Sequence, residues 1–282
     1  MKITIASGKG GTGKTTLSTN LAIYLKNRNK DVVLVDLDVE EPNVTQFLKG
    51  ELKNEYPCTK LIPRWDKNSC TLCGYCSEVC NFNAIVTTNN KVLIFNELCH
   101  SCFACSELCP TASLFMEPTK VGTIKELFNG FYFIEGCLDL GQEMAIPVIS
   151  QTISYTNENF LNSLKLFDAP PGTSCSFIEA CRQSDFIVLV TEPTPFGLND
   201  LKLAVETLKV IKKEFAVVIN KDGIGNSEIE DYCNDEGIEI IAKIKNDINV
   251  AKLYSQGKIV YKEIEHFKKS LEEICSFLGE IR

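Results

Sequence analysis

The chain opens on an apolar run, "KITIA" (Lys2–Ala6), that gives way to "SGKGGTGKTT" and then to residues at helical spacing. The run reads as a buried strand, and the pattern after the loop predicts a helix over about Lys14–Arg28. A second apolar run at Val32–Val35 completes a strand–helix–strand unit, which implies a parallel sheet with a right-handed crossover. The pattern breaks near Tyr56 and resumes near Val121. Beyond it, "IPVI", "LKLFDA", "FIVLV", "FAVVIN" and "IEIIAKI" are short apolar runs typical of buried parallel strands. Helical stretches separate the later ones, over Leu198–Lys213 and Ser227–Glu236. The C-terminal "KEIEHFKKSLEEICSFLGEI" has apolar residues at helical spacing and acids on its polar face. Packing against the sheet is therefore expected of it, rather than membrane binding.

These elements predict an α/β fold, a doubly wound and mostly parallel sheet over residues 1–59 and 119–282, interrupted by a small α+β insert at 60–118. A chain of 282 residues is long enough for that layout, and 44% hydrophobic residues describe a packed globular protein. The net charge of −8 argues against a general nucleic-acid or anionic-membrane surface, which would need an excess of Lys and Arg. No apolar run approaches the length of a membrane span, and "MKITIASGKG" lacks the apolar core of a signal peptide. A cytoplasmic location is the expectation. Fourteen cysteines in that compartment point to metal rather than disulfides, and eight of them fall within residues 70–109.

The insert contains an internal repeat. Cys70-x2-Cys73-x2-Cys76-x3-Cys80 is followed, 29 residues on, by Cys99-x2-Cys102-x2-Cys105-x3-Cys109-Pro110. C-x2-C pairs also bind zinc, but two successive four-cysteine runs at matched spacing favour iron–sulfur clusters. The run resembles that of the bacterial two-cluster ferredoxins. That resemblance implies one [4Fe–4S] cluster on Cys70, Cys73, Cys76 and Cys109, and a second on Cys99, Cys102, Cys105 and Cys80. Asn81 stands where the pattern has proline after the fourth cysteine, a departure that touches no ligand.

The loop after the first strand fits G-x-x-x-x-G-K-[ST]. Gly8, Gly10, Gly11 and Gly13, with Thr12 among them, leave room for backbone N–H groups to curl around phosphate oxygens. Lys14 would neutralise the β- and γ-phosphates, and the Thr15 hydroxyl would ligate Mg²⁺. The helix that carries Lys14, Thr15 and Thr16 adds its positive N-terminal end. Lys9 is a second lysine at a position where an ordinary loop tolerates any residue. "VVLVDLDVEEPN" places Asp36 and Asp38 at the C-terminal end of the second strand, the rim where such sheets bind ligands. "LKLFDAPPGTSC" puts Asp168 at another strand end, before a loop whose Gly172 is expected near the γ-phosphate. An isolated Asp at a strand end more often caps a helix; in this company magnesium and water positioning is the better reading. In "VVINKDG" the position a guanine site needs as Asp is Gly223, so the register speaks for ATP.

At residues 7–16 and 164–173 the sequence resembles the deviant Walker A P-loop ATPases. These include the MinD and ParA positioning ATPases, the nitrogenase iron protein and the Mrp-type iron–sulfur carriers. The signature K-G-G-x-G-K-T stands here as Lys9–Thr15, and the second switch D-x-P-P-G-T as Asp168–Thr173. With the insert included, the chain resembles MinD-like ATPases bearing an inserted ferredoxin domain. The resemblance implies a nucleotide-sandwich dimer, of two identical chains or of two similar ones, in which Lys9 reaches the partner's phosphates. It also implies that Asp38 orients the attacking water, that Asp36 and Asp168 support Mg²⁺, and that Asn220 contacts the adenine.

Three uses of ATP follow from the resemblance. Dimer closure would gate electron transfer from the clusters to a redox partner. Alternatively the chain would assemble or carry clusters for a client, although the C-terminal C-x-x-C of Mrp-type carriers is missing, with Cys233 and Cys275 far apart. A positioning or scaffold ATPase is the third. The nitrogenase iron protein shares a cluster across its dimer axis, and its pattern maps onto Cys137 and Cys175, the latter seven residues after Asp168. A small residue opening a helix and a buried thiol are the plainer readings of those two positions.

Overall fold

A computed structural model describes residues 1–280. In chain order, β1 (Lys2–Ala6), α1 (Lys14–Asn27) and β2 (Val32–Asp36) form the opening unit. β3 (Glu51–Trp65), α2 (Tyr75–Glu78), β4 (Ile85–Thr87), β5 (Val92–Ile94), α3 (Ala104–Glu107) and β6 (Leu114–Phe128) follow. The chain continues through β7 (Tyr132–Leu138), α4 (Ile146–Asn159), β8 (Leu164–Asp168), α5 (Cys175–Arg182) and β9 (Phe186–Thr191). It ends with α6 (Pro195–Val210), β10 (Phe215–Asp222), α7 (Glu228–Asp235), β11 (Ile240–Lys245), α8 (Ile248–Ser255) and α9 (Glu265–Glu280). The expected terminal helix was to run on to Ile281, which lies outside the described residues.

The large sheet has the order β11-β10-β9-β1-β8-β2-β7-β6-β3. β1 pairs in parallel with β8 and β9, β10 with β9 and β11, and β2 with β8 and β7. β1 therefore lies between two strands that come much later in the chain. The loop after β1 opens at the carboxyl ends of the strands, where the direction of winding changes and ligands find a crevice. β1, β2, β8 and β9 are buried almost throughout, which is why they read as continuous apolar runs rather than alternating ones.

One large hydrophobic cluster packs α1, α8 and α9 against one face of this sheet. Ile3, Ile5, Leu17, Leu21, Val188 and Val218 belong to it. So do Phe267, Leu271, Ile274 and Leu278, four successive positions on one face of α9. Each such side chain contributes about 1.5–3 kcal/mol through burial, enough to fix α9 against the core as its pattern implied.

Four differences from the sequence reading have physical causes. "IPVI" is no strand; it opens α4, where Pro147 sits in the first turn and needs no intrahelical donor. Val148, Ile149, Thr152, Ile153 and Thr156 are buried along it at helical spacing, a period that a four-residue run is too short to show. β3 escaped because it is the edge strand of the sheet, its first seven residues are exposed on both faces, and it carries Pro57 and Pro63. β6 and β7 escaped because polar residues such as Lys125, Glu126 and Glu135 interrupt their apolar runs.

The chain divides into two compact units. The first is Met1–Tyr56, Ile124–Cys137 and Ile149–Arg282; the second is Pro57–Thr123 and Leu138–Val148. β3, β6, β7 and α4 each continue from one unit into the other. Within the second unit β4 and β5 pair antiparallel, Ile85 opposite Ile94. Its hydrophobic cluster at the cysteine runs has four buried members, Ile85, Val92, Cys105 and Leu114, one of them a cysteine. A cluster this small gives the cysteine runs little stability of their own without additional staples.

Candidate functional site

The loop between β1 and α1 is shaped by its glycines. Gly11 and Gly13 have φ of 76° and 92°, the left-handed region that only glycine enters without strain. A Cβ on Gly8 would come within 2.2 Å of the Asp200 carbonyl oxygen, and one on Gly13 within 2.2 Å of Asn220 Nδ2. The loop is thus clamped between α6 and the end of β10. Asn220 Nδ2 donates to the Thr12 carbonyl at 2.7 Å, and Gly172 N–H donates to the Ser7 carbonyl at 3.1 Å. Gly10 and Gly11 remain exposed and face the open side.

Lys14, buried at the start of α1, places its ammonium 3.1 Å from Asp168 Oδ1. Burial opposes its charge, but Asp168, Asp38 and Asp36 outweigh burial and hold its pKa above the ordinary lysine value. Asp36 is anchored rather than free: Oδ1 accepts the Asp38 N–H, and Oδ2 accepts those of Asn43 and Val44. Burial pushes its carboxyl up, the charge of Asp168 adds to this, and the three N–H donors oppose it. Burial likewise raises Asp38 to about 6, against the pull of Lys14.

A cleft with about 1180 Å³ of unfilled space, counted out to its mouth, opens over this machinery. Ser7, Lys9 to Thr16, Asp38 and Asn220 line it. Asp36 and Asp168 do not line it; they stand behind Lys14. The far wall, Lys245 to Asp247 with Val250 and Tyr254, was not anticipated, nor were Glu41, Asn43 and Lys221. Lys221 follows Asn220 directly in "VVINKDG", which was the available signal.

Lys9 is held within its own chain. Its ammonium donates to Glu192 Oε1 at 2.6 Å, while Lys221 donates to Glu192 Oε2 at 2.7 Å and to the Gly11 carbonyl at 3.0 Å. Glu192 directly follows β9 and escaped the sequence reading, since no motif marks it.

The residues fit magnesium. Asp168 Oδ2 is a buried acceptor with no hydrogen-bond partner, beside the loop that carries the Thr15 hydroxyl. A hard cation takes oxygen ligands of this kind, directly or through water.

The second unit separates the eight cysteines into two sets. Cys70, Cys73, Cys76 and Cys109 line one cavity, with about 330 Å³ of unfilled space to its mouth. Cys80, Cys99, Cys102 and Cys105 line another, of about 320 Å³. Each takes three cysteines from one run and the fourth from the other. Among the described residues no three metal-ligating side chains converge tightly enough to hold a single ion. A four-iron cubane would keep its four thiolates apart, one on each iron, rather than gather them on one ion.

The backbone around the thiols is shaped for sulfur. Leu72, Ser101, Phe103, Asn83 and Ala112 take positive φ between 50° and 66° despite their side chains. Each costs of order 1–2 kcal/mol, and left-handed residues of this kind turn N–H groups inward. Leu72 N–H lies 3.4 Å from Cys70 Sγ, Ala84 N–H 3.3 Å from Cys80 Sγ, and Ser113 N–H 3.3 Å from Cys109 Sγ. Cys175 opens α5 and is exposed, whereas Cys137 is half-buried near the end of β7. Cys181 and Cys233 are buried thiols, and Cys275 is half-buried on α9.

A glycine-rich loop between a parallel strand and a helix, backed by carboxylates on neighbouring strand ends, defines a P-loop nucleotide-binding protein. The CobQ/CobB/MinD/ParA nucleotide binding domain matches residues 3–260, and the chain belongs to that family. Protein MJ0578 of Methanocaldococcus jannaschii is 30% identical over 282 residues, covering 99% of this chain and 97% of the relative. A cytosolic Fe-S cluster assembly factor NUBP2 homolog of Dictyostelium discoideum is 41% identical over 262 residues, 89% of this chain and 80% of the relative. The fold matches that of the cell division ATPase MinD of Pyrococcus furiosus with a TM-score of 0.60 at 20% identity, over 100% and 99% of the two chains. MinD of Pyrococcus horikoshii, solved with Mg-ADP, gives 0.61 at 19% identity, over 99% and 96%. Among the described residues no helix is long and apolar enough to cross a membrane.

Proposed function

We propose that this MinD/ParA-type ATPase couples ATP-dependent pairing of two chains to electron transfer through two [4Fe–4S] clusters. The observation that carries the reading is the division of the cysteines into two four-thiol cavities, each completed by a residue of the other run. The small hydrophobic cluster and the inward N–H groups of the second unit support it. When bound, each cluster supplies a one-electron site with all its irons ligated by cysteine, which suits holding electrons.

In this reading the loop from Gly8 to Thr16 wraps the phosphates, and Lys14 moves from Asp168 toward them. The Asp168 carboxylate and the Thr15 hydroxyl would hold Mg²⁺, which would neutralise the phosphate charge, with Asp36 supporting from behind. Asp38 lines the cleft and orients water, and Asn220 reaches the base. Lys9 serves the nucleotide of the partner chain, identical or similar. A cluster shared between two chains would take Cys137 and Cys175.

Two measurements test the reading. Iron and acid-labile sulfide at about eight per chain fit the two cages alone, and about ten fits a shared cluster as well. Dithionite-reduced protein should pass electrons to a redox partner faster with ATP than with a non-hydrolysable analogue. The absence of any nucleotide effect removes the coupling.

A second reading, cluster assembly for a client protein, is favoured by the Dictyostelium relative's name and 41% identity. Challenge with an apo-protein acceptor separates the two: intact transfer of clusters from the chain supports assembly, and retention supports electron transfer.

A further inference from the structure

The two cysteine cages have the same backbone at a fixed offset. The left-handed residues Leu72, Gly74 and Asn83 of the first run recur as Ser101, Phe103 and Ala112 of the second. The surroundings are not the same. Cys99 and Cys105 are buried in one cage, while no cysteine of the other is.

Beside Cys99 lies Lys60, on β3, only 5% exposed. Its ammonium donates to the carbonyls of Asn96 at 2.9 Å and Cys99 at 3.2 Å, and touches Met144 Sδ at 3.6 Å. Glu97 and Glu143 act on it only from longer range. A buried ammonium held by neutral groups is costly unless a counter-charge lies near. Iron ligated by four thiolates carries net negative charge and supplies one.

The other cage is surrounded by hydroxyls instead. Ser77 donates to Thr87 Oγ1 at 2.9 Å, so the Thr87 hydroxyl hydrogen is left for Cys76 Sγ at 3.4 Å. Thr111 Oγ1 lies 3.7 Å from Cys109 Sγ.

We infer that Lys60 makes the two clusters electrochemically distinct by selectively raising the reduction potential of the one held by Cys80, Cys99, Cys102 and Cys105. The inference rests on the cluster reading above. Reduction adds negative charge to a site, burial of the thiols disfavours that, and a fixed cation bonded to the backbone of a ligating residue favours it. Lys60 thereby offsets the burial of Cys99 and Cys105, and keeps the more enclosed cluster reducible. It is a positioning charge that ligates no iron.

The test is an anaerobic, EPR-monitored titration of the holoprotein with dithionite as reductant, after iron and sulfide per chain have been counted. Lys60→Gln should lower one midpoint by about 59 mV or more, a tenfold change in a one-electron equilibrium, and leave the other in place. Lys60→Arg should restore the wild-type value, and Thr87→Val should move the other cluster. Lys60→Met serves as a second neutral variant where Lys60→Gln loads poorly. Unchanged potentials in both neutral variants at about eight irons per chain, or equal shifts of both clusters, overturn the role of Lys60 while leaving the clusters standing. A wild-type protein without iron removes the cluster reading and this inference together.

Discussion

Lys9 and Glu192 are paired at 2.6 Å within one chain, and Glu192 is shared with Lys221, which is bonded to the phosphate loop. The lysine that the reading assigns to a partner's phosphates is therefore engaged in cis before any partner arrives. Glu192 competes for it. A partly buried ion pair of this kind is worth on the order of 1 kcal/mol, so the competition amounts to a factor of about five for each lysine released. Glu192→Gln should strengthen ATP-dependent dimerisation by up to that factor per lysine, measured by sedimentation with a non-hydrolysable analogue. Lys9→Ala should leave ATP binding mostly intact and abolish hydrolysis that depends on dimerisation. Hydrolysis that survives in Lys9→Ala at high protein concentration would show the lysine to be dispensable.

The carboxylates behind Lys14 give the nucleotide-free protein a pH dependence of definite sign. Asp36 has a folded-state pKa raised by burial and by Asp168, toward about 8, against about 4 when unfolded. Between those values the folded chain binds the extra proton, so stability falls as pH rises through the window. Asp38, raised to about 6, acts in the same direction over a narrower range. The melting temperature of the apo-protein should therefore decline from pH 5 to pH 8, and Asp36→Asn should flatten that slope. The comparison is of slopes, because the amide must face its NH₂ toward one of the N–H donors of Asp38, Asn43 or Val44 and so shifts the whole curve. A slope equal to wild type would place the dependence on other groups.

Much of this site was legible before any coordinates. The G-K-T loop, the strand-end acids and both cysteine runs announce themselves because their chemistry demands fixed residue types at fixed spacing. Glu192, Lys221 and the wall from Lys245 to Tyr254 do not, since they reach the cleft only through the order in which β9, β10 and β11 flank β1. The same limit explains β3 and α4. Over residues 51–57 the edge strand is exposed on both faces and has no alternation to read, and four apolar residues beginning a helix look like a strand until the next turn of the helix is seen. Lys60 illustrates the point from the other side: a lone lysine in "CTKLIPRW" reads as a surface residue, yet it is buried against Cys99.

The glycines of the phosphate loop can be separated by what surrounds them. At Gly8 the obstacle is main chain, the Asp200 carbonyl, and the added methyl must displace α6 or the loop. At Gly13 the obstacle is the Asn220 amide, together with a φ of 92°. Gly10 meets nothing within 4 Å of a built Cβ, and its φ is not in the left-handed region. Gly8→Ala and Gly13→Ala should each destabilise the protein by about 1–3 kcal/mol and sharply weaken nucleotide binding. Gly10→Ala should leave stability within about 0.5 kcal/mol of wild type. Denaturant melts and a fluorescent-nucleotide titration of the three variants check this ordering, and an equal loss in all three would contradict it.

On the cluster reading, the second unit should depend on metal for its structure. Its cluster of four buried side chains includes Cys105, and five non-glycine residues around the cages are held in the strained left-handed region. Strain of that kind persists only where something else fixes the backbone, and thiolate–iron bonds do so when present. The first unit has its own large core around β1, β9 and α9 and no such debt to metal. Removal of iron by a chelator under reducing conditions should therefore expose amides of residues 66–113 to hydrogen exchange, while β1, β8 and β9 stay protected. Cys76→Ser should lower the iron content by about half, because each cage takes a fourth ligand from the other run but three from its own. Protection of residues 66–113 that is unchanged after complete loss of iron would show that the hydrophobic cluster suffices alone.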